Sequence, residues 1–375
     1  MPPEPPPIAA PRGLPARRRA WFLALAALIV AGIVAAVVWL VPLGGSGRYG
    51  APLEVAAKAG VVLVATQRPD GTVSVRALEP MGSLDRAIYE GVGLTQMRVS
   101  PDGRYALLAA RDTASGSNNC TMVDLRGERP SVPIVPEAVP GSGLGRPIEV
   151  TSADWLSDGR AAFSLLYDPT TIVITTYDPD TQERALIAEV PNCTWLSLFC
   201  PHGASEARAM GLADLTDLSG VVTLDERGAH NATGYPGSHW GIASPDGDSV
   251  LIQETAGSRA WTVYPVTEGD LGPGTGVDTP PVYYTCADWS PSGDRLVIGP
   301  GVYDAATGRR LATLSIAGGL EDVWFVDENH VLALAGGRVV LAKADGTGAE
   351  VLVHQPLSLP SSGGAIRSLR RWIGF

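Results

Sequence analysis

The sequence predicts an all-β fold built by radial repetition: a six- or seven-bladed β-propeller, seven favoured, preceded by one transmembrane helix. Three observations predict it. Five segments repeat one pattern of apolar run, tight turn and second apolar run. After residue 50, apolar stretches of five to seven residues alternate with turns, and no sustained helical periodicity occurs. Ahead of them, residues 20–43 form one uncharged, mostly apolar run.

The repeats occupy residues 97–108, 153–163, 241–252, 287–298 and 323–334. Val99, Trp155, Ala243, Trp289 and Phe325 share the position four residues before Gly103, Gly159, Gly247, Gly293 and Asn329. The turn chemistry explains the pattern. In Ser100-Pro101-Asp102-Gly103, proline presets φ near −65°, aspartate caps the turn and glycine accepts a positive φ. Asn329 is expected in that left-handed position where glycine is missing. The turns are 56, 88, 46 and 36 residues apart, so the longest interval should hide a degenerate unit, with residues 211–224 as the candidate. The leading strand pair at 53–80 completes six or seven units, and the C-terminal run 365–372 could pair with it, closing the ring and removing free sheet edges.

The domain organisation follows. Residues 1–19, rich in Pro and Arg, read as a disordered tail, 20–43 as the helix, 44–52 as a linker and 53–375 as the propeller. Twenty-four residues at 1.5 Å rise span about 36 Å, enough for a bilayer core of about 30 Å with some tilt. Arg17, Arg18 and Arg19 lie before the run, while only Arg48 and Lys58 follow closely. The positive-inside rule therefore leaves the N-terminus in the cytoplasm and the propeller outside a bacterial cytoplasmic membrane. A cleaved signal peptide is the alternative, but its apolar region would be shorter and would end in small residues.

The net charge of −11 is unevenly spread: residues 1–47 carry +3, which leaves −14 on the rest. A domain that acidic repels nucleic acid, so no nucleic-acid partner is expected. Cys120, Cys193, Cys200 and Cys286 all fall on the outer side, and an even count in an exported domain favours disulfides. Cys193 with Cys200 and Cys120 with Cys286 are the expected pairs, although three connectivities exist.

No Gly-x-Ser-x-Gly elbow occurs, and none of the five histidines shares a metal-ligand spacing with another. No phosphate-binding glycine loop or calcium loop is present, so no metal or cofactor is expected. The ligand-binding candidates are Asp154, Asp288, His239 and Trp240. Asp154 and Asp288 precede the register tryptophans, where they could face the central channel or satisfy backbone amides between blades. His239 and Trp240 could line the channel mouth and contact a sugar or peptide, while core packing is the plainer account of Trp240.

The Ser-Pro-Asp-Gly turns, each followed by an apolar strand, resemble the TolB-like and WD-repeat-like β-propellers, whose repeats carry an aromatic before that turn. The turns at 156–159 and 326–329 depart from that pattern. The resemblance implies a non-catalytic interaction domain in the cell envelope that binds another envelope protein, a peptide or a glycan. It extends to propellers attached to peptidases, so an enzyme using the central channel, hydrolase, lyase or metal- or quinone-dependent, is the alternative, with a sensor domain as a third reading.

Overall fold

The computed structural model describes residues 62–68, 70–78, 85–111, 118–134, 147–201, 209–215, 219–225, 228–232, 240–253, 260–267, 270–280, 286–336, 338–351 and 365–371. Every regular element among them is a strand. In chain order the first sheet contains β1 (Val62–Gln67), β2 (Val73–Leu78) and β3 (Asp85–Gly91). The second holds β4 (Leu94–Val99), β5 (Tyr105–Arg111), β6 (Asn118–Asp124) and β7 (Val132–Ile134). The third holds β8 (Glu149–Trp155), β9 (Ala161–Asp168), β10 (Thr171–Tyr177) and β11 (Arg184–Pro191). The fourth holds β12 (Cys193–Leu198), β13 (Ala209–Leu215), β14 (Ser219–Asp225) and β15 (Gly228–Ala232). In the fifth, β16 (Trp240–Ala243) and β17 (Ser249–Gln253) are followed by β18 (Trp261–Thr267), to which β19 (Asp270–Leu271) and β20 (Thr275–Val277) both pair. The sixth holds β21 (Ala287–Trp289), β22 (Arg295–Ile298), β23 (Gly301–Asp304) and β24 (Arg310–Thr313). The seventh holds β25 (Leu320–Asp327), β26 (His330–Ala335), β27 (Arg338–Lys343) and β28 (Ala349–Val351). The last strand, β29 (Ala365–Arg371), pairs antiparallel with β1 and becomes the innermost strand of the first sheet.

The sequence shows why these sheets stack face to face. Along β5, Ala106 and Leu108 enter the core shared with the first sheet, while Tyr105 and Leu107 enter the core shared with the third. On β10, Val173 faces the second sheet, and Ile172 and Ile174 face the fourth. On β22, Val297 packs toward the seventh sheet, whereas Leu296 and Ile298 pack toward the fifth. A middle strand buried on both faces reads as a continuous apolar run rather than an alternation, which is how Tyr105–Arg111 and Thr171–Tyr177 look in sequence. Cores between consecutive sheets, rather than one central core, define an all-β propeller.

The Ser-Pro-x-Gly turns fold as their residues dictate. Ser100 Oγ accepts a hydrogen bond from Tyr105 N at 2.8 Å and donates to Asp102 Oδ1 at 2.6 Å. Ser244 repeats both bonds with Ser249 N and Asp246 Oδ1, and Ser290 accepts from Arg295 N. Gly103, Gly159, Gly247 and Gly293 all have φ between 69 and 86°. Asn329 differs from expectation, for it is not among the described non-glycine residues of positive φ. There β25 and β26 pair as far as Asp327 and His330, and Asp327 Oδ1 accepts from Asn329 N at 2.8 Å.

The hidden unit exists, in a different register from the expected one. Residues 211–224 fall on β13 and β14, and the inner strand is Cys193–Leu198. The leading unit also differs, running to three strands over 62–91. Residues 1–19, 20–43 and 44–52 lie outside the described residues; no helix among the described residues is long and apolar enough to cross a membrane.

Candidate functional site

The innermost strand of each sheet presents one edge of unpaired backbone groups to its neighbours, and buried groups of that kind need partners. In the third sheet the pair Asp154-Trp155 supplies them in both directions. Trp155, fully buried, donates its indole N–H to the carbonyl of Arg98 on β4 at 3.3 Å. Asp154 Oδ2 accepts from Cys200 N, just past β12, at 2.9 Å, and Oδ1 accepts from Trp155 N at 2.9 Å. Asp288-Trp289 in the sixth sheet repeats the device: Trp289 donates to the Ile242 carbonyl on β16 at 3.2 Å, and Asp288 Oδ2 accepts from Phe325 N on β25 at 2.9 Å. Each pair thus ties three consecutive sheets together.

More side chains serve the same seam around the third sheet. Gln96 Oε1 accepts from Ala153 N at 3.1 Å, and Ser152 Oγ accepts from Leu198 N at 3.0 Å. Ser164 Oγ donates to the Leu196 carbonyl at 2.9 Å. Arg98 Nε lies 3.4 Å from Asp154 Oδ1 and partly compensates a carboxylate that is only 2% exposed. Sequence reasoning missed Gln96, Arg98, Ser152 and Ser164, because nothing in the local pattern distinguishes them from ordinary strand residues.

Of the other candidates, His239 lies outside the described residues. Trp240 opens β16, where its backbone pairs with Gln253, and its side chain lies outside what is described. The structure brings Asp154 and Asp288 to matching positions in two sheets. Among the described residues, no group of three or more His, Cys, Asp or Glu is placed to hold a metal ion.

The expected disulfides are corrected. Cys120, Cys193, Cys200 and Cys286 are all buried, and none is in a disulfide. Cys193 begins β12 and Cys200 follows its end, and extended backbone puts roughly 16 Å of strand between them, against the roughly 7 Å limit for a bridge. Cys120 packs between the second and third sheets and Cys286 between the sixth and seventh, in separate cores. Burial pushes the thiols of Cys120 and Cys286 up to about 12. Burial, then the nearby Asp154 carboxylate, raises Cys200.

Sheets packed through successive two-faced cores and tied by inner-strand side chains define this chain as a β-propeller. No protein-family model matches the sequence, and no curated protein matches it significantly. Solved structures do match. The periplasmic gluconolactonase PpgL of Pseudomonas aeruginosa aligns at 14% identity over 83% of this chain and 98% of its own, with a TM-score of 0.51. The β-propeller domain of Cps50 (Swd1) from Myceliophteria thermophila aligns at 13% identity over 74% of this chain and 94% of its own, with a TM-score of 0.50. TolB from Acinetobacter baumannii aligns at 15% identity over 83% of this chain and 82% of its own, with a TM-score of 0.42. What the first two share with this chain at such identities is the fold.

Proposed function

We propose that this chain is a seven-bladed propeller, held outside a bacterial cytoplasmic membrane by residues 20–43, that binds another envelope protein, a peptide or a glycan without catalysing a reaction. The observation that carries the non-catalytic reading is the engagement of Asp154 and Asp288. These carboxylates are the acidic members of the ligand-binding candidates, and each accepts a bond from a backbone amide of the next sheet. The seven sheets and the pairing of β29 with β1 support a closed ring, in which strength resides in the seams and binding falls to connecting segments.

The binding surface on this reading is the set of segments leading into inner strands, 141–152, 232–241 and 276–286. Their ends are strand in the structure, since β8 begins at Glu149, β16 at Trp240 and β20 ends at Val277. Crosslinking in intact membranes, followed by capture of the full chain from detergent extract, tests the proposal. Replacing 141–147, 233–239 and 279–285 by Gly/Ser stretches of equal length should abolish capture while the Tm is retained. Capture that survives all three replacements overturns the assignment, and turnover of a sugar lactone or peptide by the full chain overturns the non-catalytic reading.

A further inference from the structure

One corner at the seam of the second and third sheets places two arginines on a single carboxylate oxygen. Arg104 ends the β4–β5 turn and Arg129 lies in the β6–β7 turn, and alternate connections of an antiparallel sheet emerge at the same end. Asp180, in the β10–β11 turn of the third sheet, sits between them: its Oδ1 is 3.5 Å from Nη1 of each arginine. A guanidinium–carboxylate bond closes to about 2.7–2.9 Å, so this oxygen is shared by both and well bonded by neither. Its side chain is 65% exposed.

The donors around Asp180 have few other acceptors. Arg129 Nη1 makes one bond, to the Pro179 carbonyl at 3.1 Å. The Arg104 guanidinium lies over the ring of Tyr105, 5.0 Å from its centroid. Tyr105 itself is buried against Trp155, and its hydroxyl has no hydrogen-bond partner among the described residues. Of the carboxylates nearby, Glu128 and Glu183 are exposed in the same turns, and three aspartates are engaged locally. Asp124 accepts from the amides of Arg126, Gly127 and Arg129, Asp102 from Ser100 Oγ and Arg104 N, and Asp178 from the amides of Asp180 and Thr181.

We infer that Arg104 and Arg129 form a binding site for a phosphoryl group, with Asp180 as an internal stand-in for the ligand. One oxygen of Asp180 lies 3.5 Å from both guanidiniums and closes on neither. A tetrahedral phosphoryl group offers separate oxygens to the two forks and up to two negative charges, and arginine is the side chain suited to both demands. The site lies at the opposite end of the second sheet from the β7–β8 connection, so it does not rest on the partner-binding surface proposed above.

Calorimetric titration of the full chain in detergent at low ionic strength, where exposed charges are least screened, tests this. The probes are inorganic phosphate and glycerophosphoglycerol, the soluble headgroup of an anionic lipid. Phosphate should bind the wild-type chain, and Asp180→Asn, which removes the competitor, should tighten it about tenfold. Arg104→Gln/Arg129→Gln should lose binding while retaining the wild-type Tm. Tighter binding of the diester assigns the site to a lipid headgroup or polymer, and tighter binding of the monophosphate to a free phosphate. Absence of binding by both wild type and Asp180→Asn, or binding undiminished in the double-arginine variant, overturns the inference.

Discussion

Asp154-Trp155 and Asp288-Trp289 occupy the same register of the third and sixth sheets and make the same two bonds, but their surroundings differ. Asp154 is 2% exposed and has Arg98 3.4 Å away, whereas Asp288 is half-buried and the residue in the place of Arg98 is Ile242. Trp155 is also stacked on Tyr105, with ring centroids 6.4 Å apart. The comparison separates what the repeat requires from what one position adds. The indole-to-carbonyl and carboxylate-to-amide bonds belong to the repeat. The guanidinium stands beside the carboxylate that is taken furthest out of water, where a buried charge needs compensation.

The largest effect expected is on the tryptophans. Trp155→Ala should cost about 3–5 kcal/mol, the range for truncating a buried large aromatic, with about 1 kcal/mol of it from the Tyr105 stack. Trp289→Ala should fall at the lower end. Urea unfolding of the two variants reads the difference as a shift in midpoint, and equal costs would show that the stack adds nothing. The carboxylates come next. Asp154→Ala removes the carboxylate beside Arg98, leaves two amides without their acceptor and should cost about 3 kcal/mol, against about 1–2 kcal/mol for Asp288→Ala. In an Arg98→Ile background the cost of Asp154→Ala should drop toward that of Asp288→Ala. If it does not, Arg98 is a bystander.

The strand–turn–strand repeat carried the fold because two-residue alternation into two cores and the Ser-Pro-x-Gly turn are both local properties. The fourth sheet was misplaced for an equally local reason. Its turn signal is Cys200-Pro201-His202-Gly203, with cysteine in the serine's place and histidine in the aspartate's, preceded by Phe199. Gly203 lies 44 residues from both Gly159 and Gly247, so the spacing was legible once cysteine was accepted as a small buried residue rather than half of a bridge. The cysteine pairing failed because proximity in sequence is not proximity in a strand. Of the candidate site, sequence placed Asp154 and Asp288 in matching register but could not say where their oxygens pointed. Their partners, Cys200 N and Phe325 N, are backbone atoms of another sheet and leave no trace in composition.

The two carboxylates also hold different residues, a cysteine in one case and a phenylalanine in the other, and this bears on redox state. With Cys193 and Cys200 as buried thiols, Cys193→Ala should cost about 1 kcal/mol, the loss of a small apolar group. Removing a native disulfide would cost about 2–5 kcal/mol. A thiol reagent should find the native chain nearly inert, with Cys120 and Cys286 held up at about 12 by burial, and should titrate all four cysteines once the chain is unfolded without reductant. Fewer than four would restore a disulfide.

The smallest effects belong to the exposed turns of the same two sheets. In the third, Asp178 Oδ1 accepts from the amides of Asp180 at 2.8 Å and Thr181 at 3.1 Å. In the sixth, Asp304 Oδ1 accepts from both the amide of Thr307 at 2.8 Å and its hydroxyl at 2.6 Å. Both carboxyls are held below the ordinary range, Asp178 chiefly by the Thr181 amide and Asp304 chiefly by the Thr307 hydroxyl. A carboxyl depressed in the folded state stabilises it above the unfolded value, near 4, and that stability is lost as pH falls through the lower folded value. Thr307→Val should therefore raise the Asp304 titration toward the ordinary range and flatten the loss of Tm below about pH 4, whereas Thr181→Val should move Asp178 much less. Carboxyl carbon shifts followed by NMR resolve the two. Because these groups face solvent, screening keeps the change in Tm well below that of either inner-strand variant. Equal shifts in the two turns would mean that the backbone amides, not the threonine hydroxyl, set both values.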